Sequence, residues 1–207
     1  MKFSVIMASR LIDYPGAAHD RDKKLIRAIA SVMEQSFEDR ELLVIADGCV
    51  LTKSLVTKYI EDDRVRLLEI EHTKLWSGGP RNKGIEEAKG EFVTYLDIDD
   101  VLGENHLQTI NSTLGSFDWV WYNDLRYKPR EDYWYENQCD IRTLGMCGTS
   151  NITHKKDNVR WDVNGKYAHD YHFIQKLLTI KNHSKVTTPE YYVCHIPGGV
   201  TSGGYDL

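Results

Sequence analysis

No apolar run in this 207-residue chain approaches the ~18 residues that a membrane-crossing helix needs, so no span is expected. Met1–Ala8 is apolar but too short for a signal-peptide core, and no small-residue cleavage site follows it. A cytoplasmic protein is the expectation. Positive charge is not in excess either. Lys and Arg total 26 against 31 Asp and Glu, a formal net charge of −5, which argues against general affinity for nucleic acid or anionic membranes. The four cysteines, Cys49, Cys139, Cys147 and Cys194, lack C-x-x-C spacing, so they read as isolated thiols in a reducing compartment rather than a zinc site. Repeats, low-complexity segments and linker-like breaks are absent too. One domain over residues 1–207 is expected, in which 1–100 and 101–207 form two halves. What remains is 41% hydrophobic and 28% charged, as in an ordinary globular protein, with a length that hides roughly 70% of the unfolded surface. Aromatic residues are plentiful, with five Trp and twelve Tyr, many of them between Phe117 and Tyr135.

The first half alternates strand and helix signals. Phe3–Ala8, Glu41–Ala46, Val65–Ile70 and Phe92–Leu96 are short apolar runs that predict buried strands. Between them, Leu25, Ile26, Ile29, Val32 and Met33 recur at helical spacing behind Asp20 or Asp22 as a cap. Leu51–Ile60 and Pro80–Lys89 predict further helices, the latter with Pro in its first turn and Gly90 as its stop. Such alternation implies β-α-β units: an α/β fold around a mostly parallel sheet. Ligands bind such sheets at the carboxyl ends of the strands, which puts Asp47 and Asp97 on one rim. The second half is less regular. Phe117–Asn123 and Tyr191–Ile196 read as strands, Leu125–Tyr135 as hairpin or loop, Gly145–Thr153 as loop into strand, and Ala168–Ile180 as helix. Alternation of Phe117, Trp119 and Trp121 suggests a buried strand face, while Tyr133–Tyr135 suit core or a ligand-stacking surface equally.

Asp97-Ile98-Asp99-Asp100 is the sharpest chemical feature. Three carboxylates within four residues repel one another unless water or a cation intervenes. Hard oxygen ligands suit Mg²⁺ or Mn²⁺ bridging to substrate phosphates; an ordinary solvated turn capping a helix near Gly103 is the plainer reading.

The segment from Gly79 to Asp100, with Arg81-Asn82-Lys83-Gly84-Ile85 and Leu96-Asp97-Ile98-Asp99-Asp100, resembles the core pattern of family 2 glycosyltransferases. Ser31-Val32-Met33-Glu34-Gln35-Ser36-Phe37 and Glu41 through Gly48 are similar to the family's upstream element, and His169-Asp170 through Phe173 to its E-D-x-x-F. His195 through Ser202 is similar to its H-x-x-N-x-S ending. The resemblance implies a GT-A fold, a Rossmann-like nucleotide-binding half joined to an acceptor half. It also implies inverting transfer from a nucleoside-diphosphate sugar, with UDP the expected nucleotide. Departure of the diphosphate builds negative charge that a divalent cation stabilises.

By position, the resemblance makes Asp99 the direct ligand of Mn²⁺ or Mg²⁺, puts Asp97 on the ribose or the metal's waters, and lets His195 complete the shell. Asp47 would read the base, Ser9 touch it, and Arg81 lie near base or phosphates; an Asp-Gly turn and an exposed helix-start Arg are the plainer alternatives. Asp170 would be the general base that takes the acceptor hydroxyl's proton. His169 stands where the family usually has Glu, Ala8-Ser9 where it has Pro-Thr, and Ala46 where it has the first of two aspartates. No Q-x-x-R-W element is present, which favours one sugar per encounter over polymerisation. The expected acceptor is a glycan, lipid-linked or protein-linked sugar, delivered by another molecule because the chain runs so little past Ser202; an oligomer is left open. Gly198-Gly199 and Gly203-Gly204 permit a lid. The competing readings are a non-catalytic nucleotide- or carbohydrate-binding module and a sugar-1-phosphate nucleotidyltransferase. The second lacks support from a Gly-rich basic loop after the first strand.

Overall fold

The structure, a computed structural model, describes residues 1–12, 20–59, 61–73, 77–128, 131–157, 159–163, 168–180, 182–188 and 190–194. In chain order the strands are β1 (Phe3–Ser9), β2 (Arg40–Asp47), β3 (Val65–Ile70), β4 (Phe92–Tyr95), β5 (Val101–Leu102), β6 (Trp119–Tyr122), β7 (Asp124–Lys128), β8 (Tyr133–Asn137), β9 (Ile152–Lys155), β10 (His183–Val186) and β11 (Tyr191–Val193). The helices are α1 (Arg21–Met33), α2 (Val50–Val56), α3 (Gly78–Glu87), α4 (His106–Leu114) and α5 (His169–Leu177), with a 3₁₀ turn at Thr149–Asn151.

Seven strands form the main sheet in the order β10-β6-β9-β4-β1-β2-β3. All pairs are parallel except those that β9 makes with β4 and β6. Strand order reverses beside β1, with β2 on one side and β4 on the other, and this is where an open α/β sheet leaves a crevice. A second sheet, β5-β11-β7-β8, stands apart from the first.

Side-chain alternation decides which helices cover which face. Val5, Met7, Leu42 and Val44 pack with Leu25 and Ile29 of α1 and Leu107 and Ile110 of α4. Ile6, Leu43 and Ile45 pack with Ile85 of α3 and Phe173 and Leu177 of α5. Both faces are therefore apolar, as expected of strands that read as continuous hydrophobic runs. Gly84 lets α3 sit directly on β1, because a Cβ there would lie 2.5 Å from Ile6 Cγ2.

Several expected elements are shorter or displaced. α2 ends at Val56, and α4 starts at His106 after the two-residue β5, which the sequence did not signal. Asp20 holds the cap position of α1 at φ 51° but makes no side-chain capping bond. At the other end of α1, the buried Arg40 donates to the carbonyls of Val32 (2.7 Å) and Met33, groups that a helix end leaves orphaned, and to that of Phe37 (2.5 Å) in the loop that follows. The hairpin option for Leu125–Tyr135 is realised as β7–β8, and β10 was not anticipated. Of the three alternating aromatics only Trp119 is fully buried; Phe117 and Trp121 are partly so, because β6 lies near the sheet's edge. The four cysteines are free and buried; the neighbouring Cys139 thiol and burial push the Cys147 thiol up, and the Cys139 thiol itself donates to Asp124 Oδ2 at 3.8 Å. Among the described residues no helix is long and apolar enough to cross a membrane.

Candidate active site

The carboxyl ends of β1, β2 and β4 open into a cleft of about 830 Å³. Its far wall comes from the 3₁₀ turn, the loop before it, and the start of α5. Six aspartates (47, 97, 99, 100, 124 and 170) and four arginines (10, 21, 81 and 126) line it. So many charges of both signs converging in one concavity mark a site for a charged ligand.

Asp47 is the last residue of β2 and is buried. Its Oδ1 accepts the backbone N–H of Thr73 at 2.7 Å, Thr73 Oγ1 lies 3.1 Å from each of its oxygens, and His72 Nδ1 approaches Oδ2 at 3.4 Å. Gly48 follows at φ +60°, and a Cβ there would meet His72 Cβ at 2.7 Å. Thr73 and His72 carried no signal in the sequence. Ser9 lines the cleft, but the residue is buried and its hydroxyl shares a 2.8 Å hydrogen bond with Thr52.

The acidic turn divides its labour. Asp100 is buried, accepting from the Tyr191 hydroxyl at 2.8 Å and from the Cys194 backbone N–H at 2.8 Å. Burial, with Asp99 and Asp97 nearby, pushes its pKa well up. It therefore pins β11 to the turn. Asp97 stays half-open to the cleft and receives Arg81 Nη2 at 3.0 Å. Desolvation, then the like charges of Asp99 and Asp170, hold its pKa up against the pull of Arg81. Asp99 lines the cleft, and its carbonyl accepts from Arg27 Nη2 at 3.1 Å.

Arg81, from α3, is a buried bridge rather than an exposed helix-start residue. Besides Asp97 it reaches His169 Nε2 (3.2 Å) and Asp170 Oδ1 (3.9 Å), and its guanidinium lies 5.0 Å from the Trp161 ring centre. Ala168 sits at φ +66°, a left-handed conformation that costs energy for an L-residue, and it launches α5 with His169 and Asp170 in the first turn. Asp170 Oδ1 accepts from Thr149 Oγ1 at 2.5 Å and faces His169 Nε2 at 2.9 Å. Burial opposes the charge on Asp170, but the His169 contact, Arg81 and Thr149 outweigh it and hold its pKa below the usual carboxylate value. The acid is thus ionised at neutral pH, the form a proton acceptor needs.

On the far wall, Asp124 is buried among Arg126 Nε (2.7 Å), Asn151 Nδ2 (3.1 Å) and Asn137 Nδ2 (3.3 Å). Nothing in the sequence singled out this group, since its members come from three separate elements. Tyr133–Tyr135 do not line the cleft. His195, Trp76, Pro15-Gly16 and the paired glycines 198–199 and 203–204 lie outside the described residues.

The donor set suits a hard cation shared with a ligand. The described residues contain no group of three His, Cys, Asp or Glu side chains able to hold a metal alone. Asp97 and Asp99 supply carboxylates on the cleft side, so a bound Mg²⁺ or Mn²⁺ would take its other ligands from water or phosphate.

A model of glycosyl transferase family 2 matches residues 17–176. The chain belongs to glycosyl transferase family 2. A β-1,3-glucosyltransferase acting on GalNAc(5)-diNAcBac-PP-undecaprenol, from Campylobacter jejuni, is 38% identical over 93 residues, 44% of this chain and 30% of that protein. Glycosyltransferase GlyG of Streptococcus pneumoniae is 29% identical over 104 residues, 49% of this chain and 34% of that protein. The matches thus span about a third of the length of these curated relatives. Among solved structures, residues 1–349 of Staphylococcus aureus TarS superpose with a TM-score of 0.75 at 20% identity, over 93% of this chain and 60% of that one. TarS is also known in complex with UDP and with UDP-GlcNAc. A mannosyltransferase from Pyrobaculum calidifontis, solved with GDP-Man and Mn²⁺, gives a TM-score of 0.66 at 16% identity, over 93% of this chain and 56% of that one. With the family model, this likeness identifies the mixed α/β family 2 architecture described above as the GT-A fold.

Proposed function

We propose that this family 2 chain carries out metal-dependent, inverting transfer of one sugar from a nucleoside-diphosphate sugar, with UDP as the nucleotide, to a hydroxyl of a glycan or glycoconjugate. The observation that carries this reading is the single cleft in which Asp170 faces the acidic turn, linked to it by Arg81. The complexes of TarS with UDP and UDP-GlcNAc support the nucleotide, and Mn²⁺ in the mannosyltransferase supports the cation.

In this reading Asp47, with Thr73 and His72 around it, meets the base. Asp97 and Asp99 hold the cation, with His195 as a further ligand. A cation held there would supply positive charge against the negative charge developing on the departing diphosphate. Arg81 adds a fixed positive charge on the same side. Asp170 takes the proton of the acceptor hydroxyl as that oxygen attacks opposite the leaving group, which inverts the anomeric carbon. Residues 1–100 serve the donor, residues 101–207 the acceptor, and the two act as one domain.

A thermal-shift screen of UDP, GDP, CDP and dTDP, each with and without Mn²⁺, tests the donor side. UDP with Mn²⁺ should stabilise the protein by about 2.7 kcal/mol at a hundredfold excess over Kd. No Mn²⁺-dependent shift with any nucleotide would overturn the metal-dependent reading. Slow UDP-sugar hydrolysis that requires both Mn²⁺ and Asp170 would separate an enzyme from a binding module.

A further inference from the structure

We infer that His169 is a positioning residue: its Nε2–H, together with the Thr149 hydroxyl, locks Oδ1 of Asp170 and leaves Oδ2 as the oxygen that receives the acceptor's proton. This rests on the reading of Asp170 as the base.

The geometry is asymmetric. Thr149 Oγ1 at 2.5 Å, His169 Nε2 at 2.9 Å and Arg81 Nη1 at 3.9 Å all approach Oδ1. Among the described residues no hydrogen bond reaches Oδ2, although the residue lines the cleft. A carboxylate held by one oxygen keeps its plane while the other oxygen stays available.

Only one tautomer of His169 is compatible with these contacts. Nε2 lies 2.9 Å from Asp170 Oδ1 and 3.2 Å from Arg81 Nη1. Arginine can only donate and an ionised carboxylate can only accept, so this nitrogen serves one neighbour at a time. A lone pair on Nε2 would face the carboxylate at the shorter distance, acceptor against acceptor. With the proton on Nε2, the carboxylate gains a donor, while Arg81 keeps its bond to Asp97 at 3.0 Å. The surroundings hold the ring in place. Trp161 lies 6.0 Å from the imidazole and stacks on Phe173 at 3.9 Å and 4°, and the Trp161 indole N–H donates to Tyr95 Oη at 3.1 Å. Glutamate, which family 2 usually carries here, has no donor when ionised. In this chain the neighbour of the base is therefore a hydrogen-bond donor rather than a second negative charge.

The test uses the full chain, with Mn²⁺-dependent cleavage of UDP-GlcNAc as the rate and UDP–Mn²⁺ binding as the control. His169→Ala should lower kcat about 10²-fold with donor KM and UDP binding unchanged. His169→Gln, whose amide N–H reaches the same region, should recover most of that loss. ¹⁵N NMR of the histidine rings, which needs no substrate, should show the proton on Nε2 of His169 and a changed Nε2 signal in Asp170→Asn. A lone pair on Nε2, equal rates for wild type and His169→Ala, or a Gln variant as slow as Ala would each overturn the inference. Those outcomes leave the base reading intact if Asp170→Asn is inactive. Full cleavage by Asp170→Asn would instead remove the base reading, and this inference with it.

Discussion

The two halves of the chain build their sides of the cleft by different means. In residues 1–100, β1, β2, β3 and β4 lie parallel with apolar side chains on both faces, and the ligand-facing groups sit where the strands stop. In residues 101–207, strands are shared between two sheets, β9 runs antiparallel between β4 and β6, and polar pins hold the wall together. Tyr191 on Asp100, Asn151 on Asp124 and Thr149 on Asp170 each join residues 21 or more positions apart. Hydrophobic burial is non-directional and tolerates drift, whereas a buried hydrogen bond is directional and costly to leave unmade. The half built on buried apolar strands can be generic; the half held by buried polar pins cannot.

Asp170→Asn separates the halves most sharply. In the proposed reading it removes the proton acceptor from the wall built by residues 101–207 and leaves the wall built by residues 1–100 untouched. Transfer should fall by about 10²–10⁴-fold while UDP–Mn²⁺ binding, measured by calorimetry, stays as in the wild type. Equal loss of binding would mean that the two walls act as one unit.

Arg40→Leu probes the generic half where it is least generic. Loss of the guanidinium leaves the carbonyls of Val32, Met33 and Phe37 without their donor in a buried site, at a cost of about 3–4 kcal/mol in urea unfolding. Unchanged stability would show that water replaces it.

Such contrasts also explain what could be read beforehand. The strands β1 to β4 and the rim position of Asp47 and Asp97 follow from local apolar runs, which one stretch of sequence contains in full. Partners separated along the chain have no such local trace. Thr149 sits in Gly148-Thr149-Ser150-Asn151, which carries no pattern, yet it supplies the shortest bond to Asp170 at 2.5 Å. Arg81 was placed near the donor by resemblance alone; its burial and its bridge to His169 emerge only once α3 and α5 pack on the same sheet face. Asp170 and the acidic turn were visible as residues, but their division into a buried strut at Asp100 and cleft-lining residues at Asp97 and Asp99 depends on where β11 lands.

Gly84→Ala tests how tightly the first half is packed. The new Cβ would sit 2.5 Å from Ile6 Cγ2, so β1 and α3 must separate or Ile6 must turn. Overpacking costs about 1–3 kcal/mol and the helix preference of Ala returns under about 1, leaving a net loss of about 1–2 kcal/mol by urea denaturation. Ile6→Val should relieve part of that loss in the double variant, which distinguishes this contact from a general effect on α3.

The smallest effect concerns acid. His106, on α4, is buried edge-on to Tyr122 at 5.0 Å, its Nε2 has no hydrogen-bond partner among the described residues, and burial pushes its pKa down to about 3. His154, on β9, is likewise pushed down to about 4 by burial. Below about pH 6.5 the unfolded chain binds these protons and the folded chain does not, so stability falls as pH falls from there toward 3–4. The first half behaves differently. Burial opposes the charge on Glu41, but bonds from Ser4, Lys89 and Arg66 outweigh it and hold its pKa below the usual carboxylate value of 4.5. Its stabilisation is present above that value and is lost only as pH falls through the folded pKa. Acid therefore acts first through the buried histidines of residues 101–207. His106→Phe, which keeps the ring and drops the titrating nitrogens, should remove about 0.8 kcal/mol of the loss measured between pH 8 and pH 6. Parallel curves for wild type and variant over that interval would show that His106 takes up its proton in the folded state, and the acid response would then belong to the cleft carboxylates rather than to the buried second half.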